Sequence, residues 1–225
     1  MKCSYMEKCA SFLLKRRRFL KEAGVFAGSC AGLCSGDPAS KKRSSKGIKV
    51  AVVFFADNRI RDSWPYPGFD CKSREQEVLA ALRKGCPQVT FIPVEVCQPK
   101  DASDALVLRD RVDAYLLYTV TLAWRLTGTF VQLGSLGKPT LAANEFFGGC
   151  GVFLTGLSRL RRAGAPVVGI SSSRLSDLVT VSRCFQELRG KRLSPSAFAQ
   201  RCEAAYLKTF GSPETEPCRR DHVKI

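Results

Sequence analysis

The chain has 225 residues, 45% hydrophobic and 25% charged, with a formal net charge of +16. That composition excludes a disordered or collagen-like polypeptide and suits one domain of about 150 residues with extensions. The single histidine, His222, lies close to the end of the chain, which argues against a Ser-His-Asp triad or a multi-histidine metal site in the body.

The charge is uneven. Residues 1–36 carry seven Lys/Arg against two Glu, and residues 37–47 carry four against one. In the body the arginines are scattered, not striped with aromatics, so the reading is a solvated basic surface and no nucleic-acid partner. Within the leader, Arg16-Arg17-x-Phe19-Leu20-Lys21 precedes a short Gly- and Ala-rich apolar run from Ala23 to Leu33. That run is too short for a stable membrane span. The pattern resembles the twin-arginine export signal, which implies a twin-arginine translocase as partner. The implied location is periplasmic, or membrane-associated through an uncleaved signal. Small residues for cleavage stand at Ser29/Ala31 and at Cys34/Gly36. The expected organisation is a signal segment 1–36, a basic polar linker 37–47, an α/β domain 48–210 and a flexible tail 211–225.

From Ile48 onward strands and helices alternate. Ile48–Ala56 is a continuous β-branched and aromatic run, the pattern of a strand buried on both faces. Ser73–Lys84 predicts a helix with a Ser73/Gln76 capping box and Gly85 as its stop. Val89–Val96 predicts a second strand, placed at an edge by Pro93. Asp101–Arg111 predicts a short helix, Ala114–Val120 a third strand and Leu122–Leu136 a helix carrying Trp124. Pro139–Ala143, Gly149–Ala163, Val167–Ser171 and Leu175–Leu188 continue the alternation. Ser194-Pro195 opens a last helix, with Ser as cap and Pro in the first turn. Phe198, Cys202 and Tyr206 lie along one face of it. Five such strands imply a three-layer α/β fold with a parallel sheet in the flavodoxin/Rossmann-like order 2-1-3-4-5.

In such sheets ligands bind beyond the carboxyl ends of the strands. Strand one delivers Asp57, Asn58 and Arg59 there; strand two, Cys97 and Gln98; strand three, Thr119 and Thr121. Strand four delivers Asn144, Glu145 and the glycine cluster Gly148-Gly149-Cys150-Gly151. Strand five delivers Ser172, Ser173 and Arg174. Asp57, Asn58, Arg59, Asn144, Glu145, Gly149, Ser172 and Arg174 are the candidate ligand-facing residues. The competing reading is that they cap helices and satisfy turns. For the glycine cluster, an anion site on backbone amides competes with a tight turn needing glycine dihedrals, and the turn is favoured. No G-x-G-x-x-G follows strand one, and Gly137-Lys138-Pro139-Thr140 lacks a P-loop's residues. Cys218 and His222 supply two of the four ligands a zinc site needs, so no metal site is expected. Most body cysteines read as small core hydrophobes, with one or two disulfides possible after export.

Gly137-Lys138-Pro139-Thr140-Leu141, Asn144-Glu145-Phe146-Phe147-Gly148-Gly149-Cys150-Gly151-x-Phe153 and Gly164–Asp177, in this order of elements, are similar to the amino-terminal domain of L-fucose isomerase-like proteins. The resemblance spans roughly residues 48–210. It implies a sugar-related fold. In that family a divalent metal, usually manganese, supports aldose–ketose interconversion, and its ligands come from later domains. No metal ligand transfers to any position here, and the chain reaches Ile225 without such domains. The expectation is therefore an exported domain without autonomous catalysis and without a cofactor of its own. It would bind a sugar, a partner domain or another copy of itself. A subunit of a split isomerase and a one-lobed periplasmic sensor are the alternatives. A cleft with Trp64, Tyr66 and Tyr118 at its rim would favour the sensor.

Overall fold

A computed structural model describes residues 47–57, 59–60, 64–172, 174–189 and 193–210. The chain divides into two units, Met1–Ser44 and Ser45–Ile225, and all described residues belong to the second. The twin-arginine motif, Asn58, Ser173 and the tail lie outside the described residues.

The strands are β1 (Ile48–Phe55), β2 (Val89–Val96), β3 (Ala114–Thr119), β4 (Thr140–Asn144) and β5 (Val167–Ser171). The helices are α1 (Cys71–Gly85), α2 (Ala102–Val107), α3 (Thr127–Gly134), α4 (Cys150–Arg162), α5 (Leu175–Ser182) and α6 (Pro195–Phe210). All neighbouring strands are parallel and the order is β2-β1-β3-β4-β5, as the alternation and the edge proline predict. Pro93 sits in an edge strand, where a missing N–H on the outer side costs no ladder bond.

Strand side chains alternate between two apolar layers because successive residues point to opposite faces. Val50, Val52, Phe54, Leu116, Tyr118, Leu141 and Ile170 join α1, α5 and α6 in one layer. Ala51, Val53, Phe55, Tyr115, Leu117 and Ala142 join α3 and α4 in the other. Both layers are closed off from water, which explains the near-continuous apolar runs of β1 and β3.

Several element boundaries differ from expectation. The cap of α1 is Asp70, whose Oδ1 accepts from the Ser73 amide at 3.0 Å, so the helix starts two residues earlier than the Ser73/Gln76 pattern implied. Gly85 is not a stop but the last helical residue. A Cβ there would fall 2.1 Å from a Val179 methyl, so glycine serves the approach of α5. The helix expected at Asp101–Arg111 is α2 flanked by 3-10 turns, Pro99–Asp101 and Leu108–Asp110. The one expected from Leu122 begins as the 3-10 turn Trp124–Leu126, and the one expected to reach Leu188 tightens to a 3-10 turn at Arg183–Leu188. Asn144 closes β4 rather than following it. Ser194 does cap α6, accepting from the Ala197 amide at 3.1 Å.

Candidate functional site at the carboxyl rim

Parallel strands put Asp57, Asn144, Glu145 and Ser172 on one rim, since they close or follow β1, β4 and β5. The rim is not one continuous cluster. Two long-range ion pairs and one local pair divide it into three.

Asp57 is buried and receives two arginines. Arg125 donates through Nη2 at 2.7 Å and Nε at 3.2 Å, and Arg59 donates through its amide at 3.0 Å and through Nε at 3.3 Å. Hydrogen bonds from Arg125 above all, then from Arg59, hold its carboxyl far below the usual carboxylate range despite its burial. The Thr121 hydroxyl accepts from the Asp57 amide at 2.9 Å.

Glu145 is held by Arg74 of α1, through Nε at 2.7 Å and Nη2 at 3.2 Å, and by the Tyr118 hydroxyl at 2.8 Å. Burial and the facing Glu145 charge push the Tyr118 phenol well above its normal range, so it stays a donor. Burial pulls down on Arg74, but hydrogen bonds to Glu145 and Glu77 outweigh it and raise its pKa. Tyr118 is buried, so it does not supply the rim aromatic that the sensor alternative called for.

At β5, Ser172 donates to Asp177 at 2.6 Å and accepts from the Arg174 amide at 3.1 Å; Arg174 Nε adds a 3.2 Å bond to Asp177. Between these clusters Asn144 donates to the Glu145 carbonyl at 3.1 Å and to Cys150 Sγ at 3.0 Å. Its Oδ1 is buried and has no partner among the described residues. Asn144, Tyr118, Ser172 and Arg174 line a pocket of about 10 Å³, room for one water-sized group. At β2, Asp101 Oδ2 accepts the Cys97 and Gln98 amides at 3.0 Å, so that end is capped as a turn.

The glycine cluster meets neither earlier description. The Gly148 and Gly149 amides both donate to the Glu145 carbonyl, at 3.0 and 3.1 Å, and so are not offered to an anion. Neither glycine has a positive φ; that conformation falls on Phe147, at φ 65°. Glycine is needed for space. A Cβ on Gly149 would stand 2.2 Å from the Thr119 carbonyl oxygen, and one on Gly148 2.3 Å from that of Val120. The loop after β4 lies directly over the end of β3. The Trp64 indole N–H, at 2.7 Å from the Gly148 carbonyl, ties the β1 loop to it. Trp64, Tyr66, Trp124, Phe146 and Phe147 are all exposed in loops that follow β1, β3 and β4.

Gly137-Lys138-Pro139-Thr140 lies at the opposite, amino end of β4. Lys138 Nζ is engaged there at 2.9 Å by the Val112 carbonyl, which agrees with its failure as a phosphate loop. Arg74 and Arg125 were not singled out from the sequence. They stand 71 and 68 residues from the carboxylates they bind, and no local pattern announces them. Among the described residues no group of three or more His, Cys, Asp or Glu is placed to hold a metal ion. These residues do not fit the divalent metal that the isomerase resemblance implies. Among them, too, no helix is long and apolar enough to cross a membrane. No protein-family profile matches the chain, and no curated protein matches it.

Proposed function

We propose that the unit from Ser45 is a binding domain that takes a sugar at its carboxyl rim without isomerising it, carried outward by the twin-arginine signal. The observation that carries this reading is the unpaired, buried Oδ1 of Asn144, a residue that lines a pocket with Arg174 and Ser172. Leaving a buried acceptor unsatisfied costs about 1–3 kcal/mol. A ligand hydroxyl suits the position because it donates to Asn144 and accepts from Arg174. Only one hydroxyl fits, so the sugar ring rests outside, near the exposed aromatics of the rim, whose faces suit ring C–H groups. The two strand-end carboxylates support a binding role over acid–base catalysis. Proton transfer between sugar carbons needs a base with free capacity, and Asp57 and Glu145 are each neutralised by arginine. A partner domain is the second reading, favoured by the exposed Phe146–Phe147 pair.

Calorimetric titration of the purified chain with a panel of aldoses and ketoses tests both halves. Saturable binding should weaken at least tenfold in Asn144→Leu and in Trp64→Ala, with no aldose–ketose conversion at any manganese concentration. Metal-dependent turnover that vanishes in Glu145→Gln would overturn the non-catalytic half. Absence of any saturable sugar binding would overturn the ligand assignment in favour of the partner domain.

A further inference from the structure

Away from the rim, α6 crosses the 3-10 turn Arg183–Leu188 on the face of the sheet that holds Cys86, Cys184 and Cys202, all buried. Two contacts fix that crossing. The Phe185 and Phe198 rings stack with centroids 5.1 Å apart at 23°, and Arg201 Nε lies 3.6 Å from Glu187 Oε2. Cys184 directly precedes Phe185. Cys202 follows Phe198 by one helical turn and adjoins Arg201. The same crossing therefore brings the two thiols together, each the largest influence on the other's titration. The proximity of Cys202 lowers the Cys184 pKa, and that of Cys184, together with burial, raises that of Cys202. Cys86, near Cys184, is pushed up to about 11 by burial and stays a thiol. Cys86, Cys184 and Cys202 are not joined in disulfides.

We propose that Cys184 and Cys202 form a disulfide site that staples the last helix to the sheet layer when the chain meets an oxidant. The oxidant is a small-molecule or protein disulfide, such as oxidised glutathione. The Cys184 thiolate attacks one of its sulfurs, forming a mixed disulfide and expelling one thiolate. Cys202 gives up its proton and attacks the Cys184 sulfur, expelling the second. The two electrons reduce the external disulfide to two thiols, which take up the two protons. Access comes from local opening of α6, in which only Phe198 and Cys202 are fully buried. The pairing is independent of the sugar reading; export would supply the oxidising surroundings.

The test uses the full reduced chain equilibrated with oxidised glutathione, alkylated in denaturant and digested with trypsin without reduction. Trypsin releases Cys184 in peptide 184–189 and Cys202 in peptide 202–208, each with one cysteine. A linked 184–189/202–208 peptide is expected, together with a melting temperature about 5–10 °C above that of the reduced chain. In Cys202→Ala, Cys184 should instead carry a single glutathione, and the thermal gain should vanish. Recovery of both wild-type peptides unlinked, or of Cys184 joined to Cys86, would overturn the proposal. The peptide measurement on the wild-type chain decides this even if the variant fails to fold.

Discussion

The two apolar layers and the carboxyl rim are built by different rules. In the layers, large side chains such as Phe54, Phe130, Phe185 and Phe198 are fully buried, and their stability comes from apolar area and close packing. At the rim, stability is held in a few charged contacts, and the backbone itself is under stress. Phe147, 67% exposed, occupies a left-handed conformation that a bulky residue rarely adopts. Five aromatics there face water, and one buried amide oxygen goes unpaired. Strain and unsatisfied polarity tend to gather where a protein does its work, because the remainder of the fold holds them in place. The contrast teaches where to look for function, and it is open to measurement.

The largest effect should come from the layers. Phe198→Ala removes a ring that is fully buried and stacked on Phe185. Denaturant unfolding should report a loss of about 3–5 kcal/mol. A loss as small as that of a surface residue would erase the distinction. At the junction of layer and rim, Gly149→Ala sets a methyl against the Thr119 backbone oxygen, which cannot turn aside. A cost of about 2–3 kcal/mol in the same assay is expected.

Within the rim, Asp57→Asn breaks the pairing with Arg125 and Arg59. Both arginines are partly exposed, so the cost should be about 2 kcal/mol, below that of a fully buried pair. The pH dependence has a defined sign. The folded-state pKa of Asp57 is lowered, so its contribution is present above the unfolded value of about 4 and is lost as pH falls below it. The stability gap between wild type and Asp57→Asn should therefore be constant from pH 7 to 5 and shrink progressively below pH 4. A gap that grows on acidification would contradict the assigned pairing.

The smallest effect should be a gain. Phe147→Gly relieves the left-handed backbone at an exposed position. It should raise stability by about 0.5–1 kcal/mol, since the strain relieved exceeds glycine's entropic cost only modestly. If ligand binding falls while stability rises, the strain at Phe147 belongs to the function of the rim.

Local pattern carried most of the fold. β2 and β5 have the bounds their sequences imply, the other strands shift by at most a residue, and Pro93 marked the edge. Helix ends were less legible, because Asp70 and Gly85 act through a cap and a contact rather than through the Ser73 and stop-glycine patterns. Of the candidate site, the rim position of Asp57, Asn144, Glu145 and Ser172 was legible, because parallel strands must all deliver their carboxyl ends to one side. Their long-range partners, Arg125 and Arg74, were not.

The alternation of apolar runs with amphipathic segments, and the handedness of crossovers, were enough to determine strand order from the sequence alone, because both act over short spans of chain. Only the tertiary structure decided that Arg125 closes on Asp57, Arg74 on Glu145, and Cys184 on Cys202. It also decided that Gly149 is small because Thr119 lies against it. These contacts join residues far apart in sequence, so they exist only once the layers have packed, and no spacing along the chain encodes them.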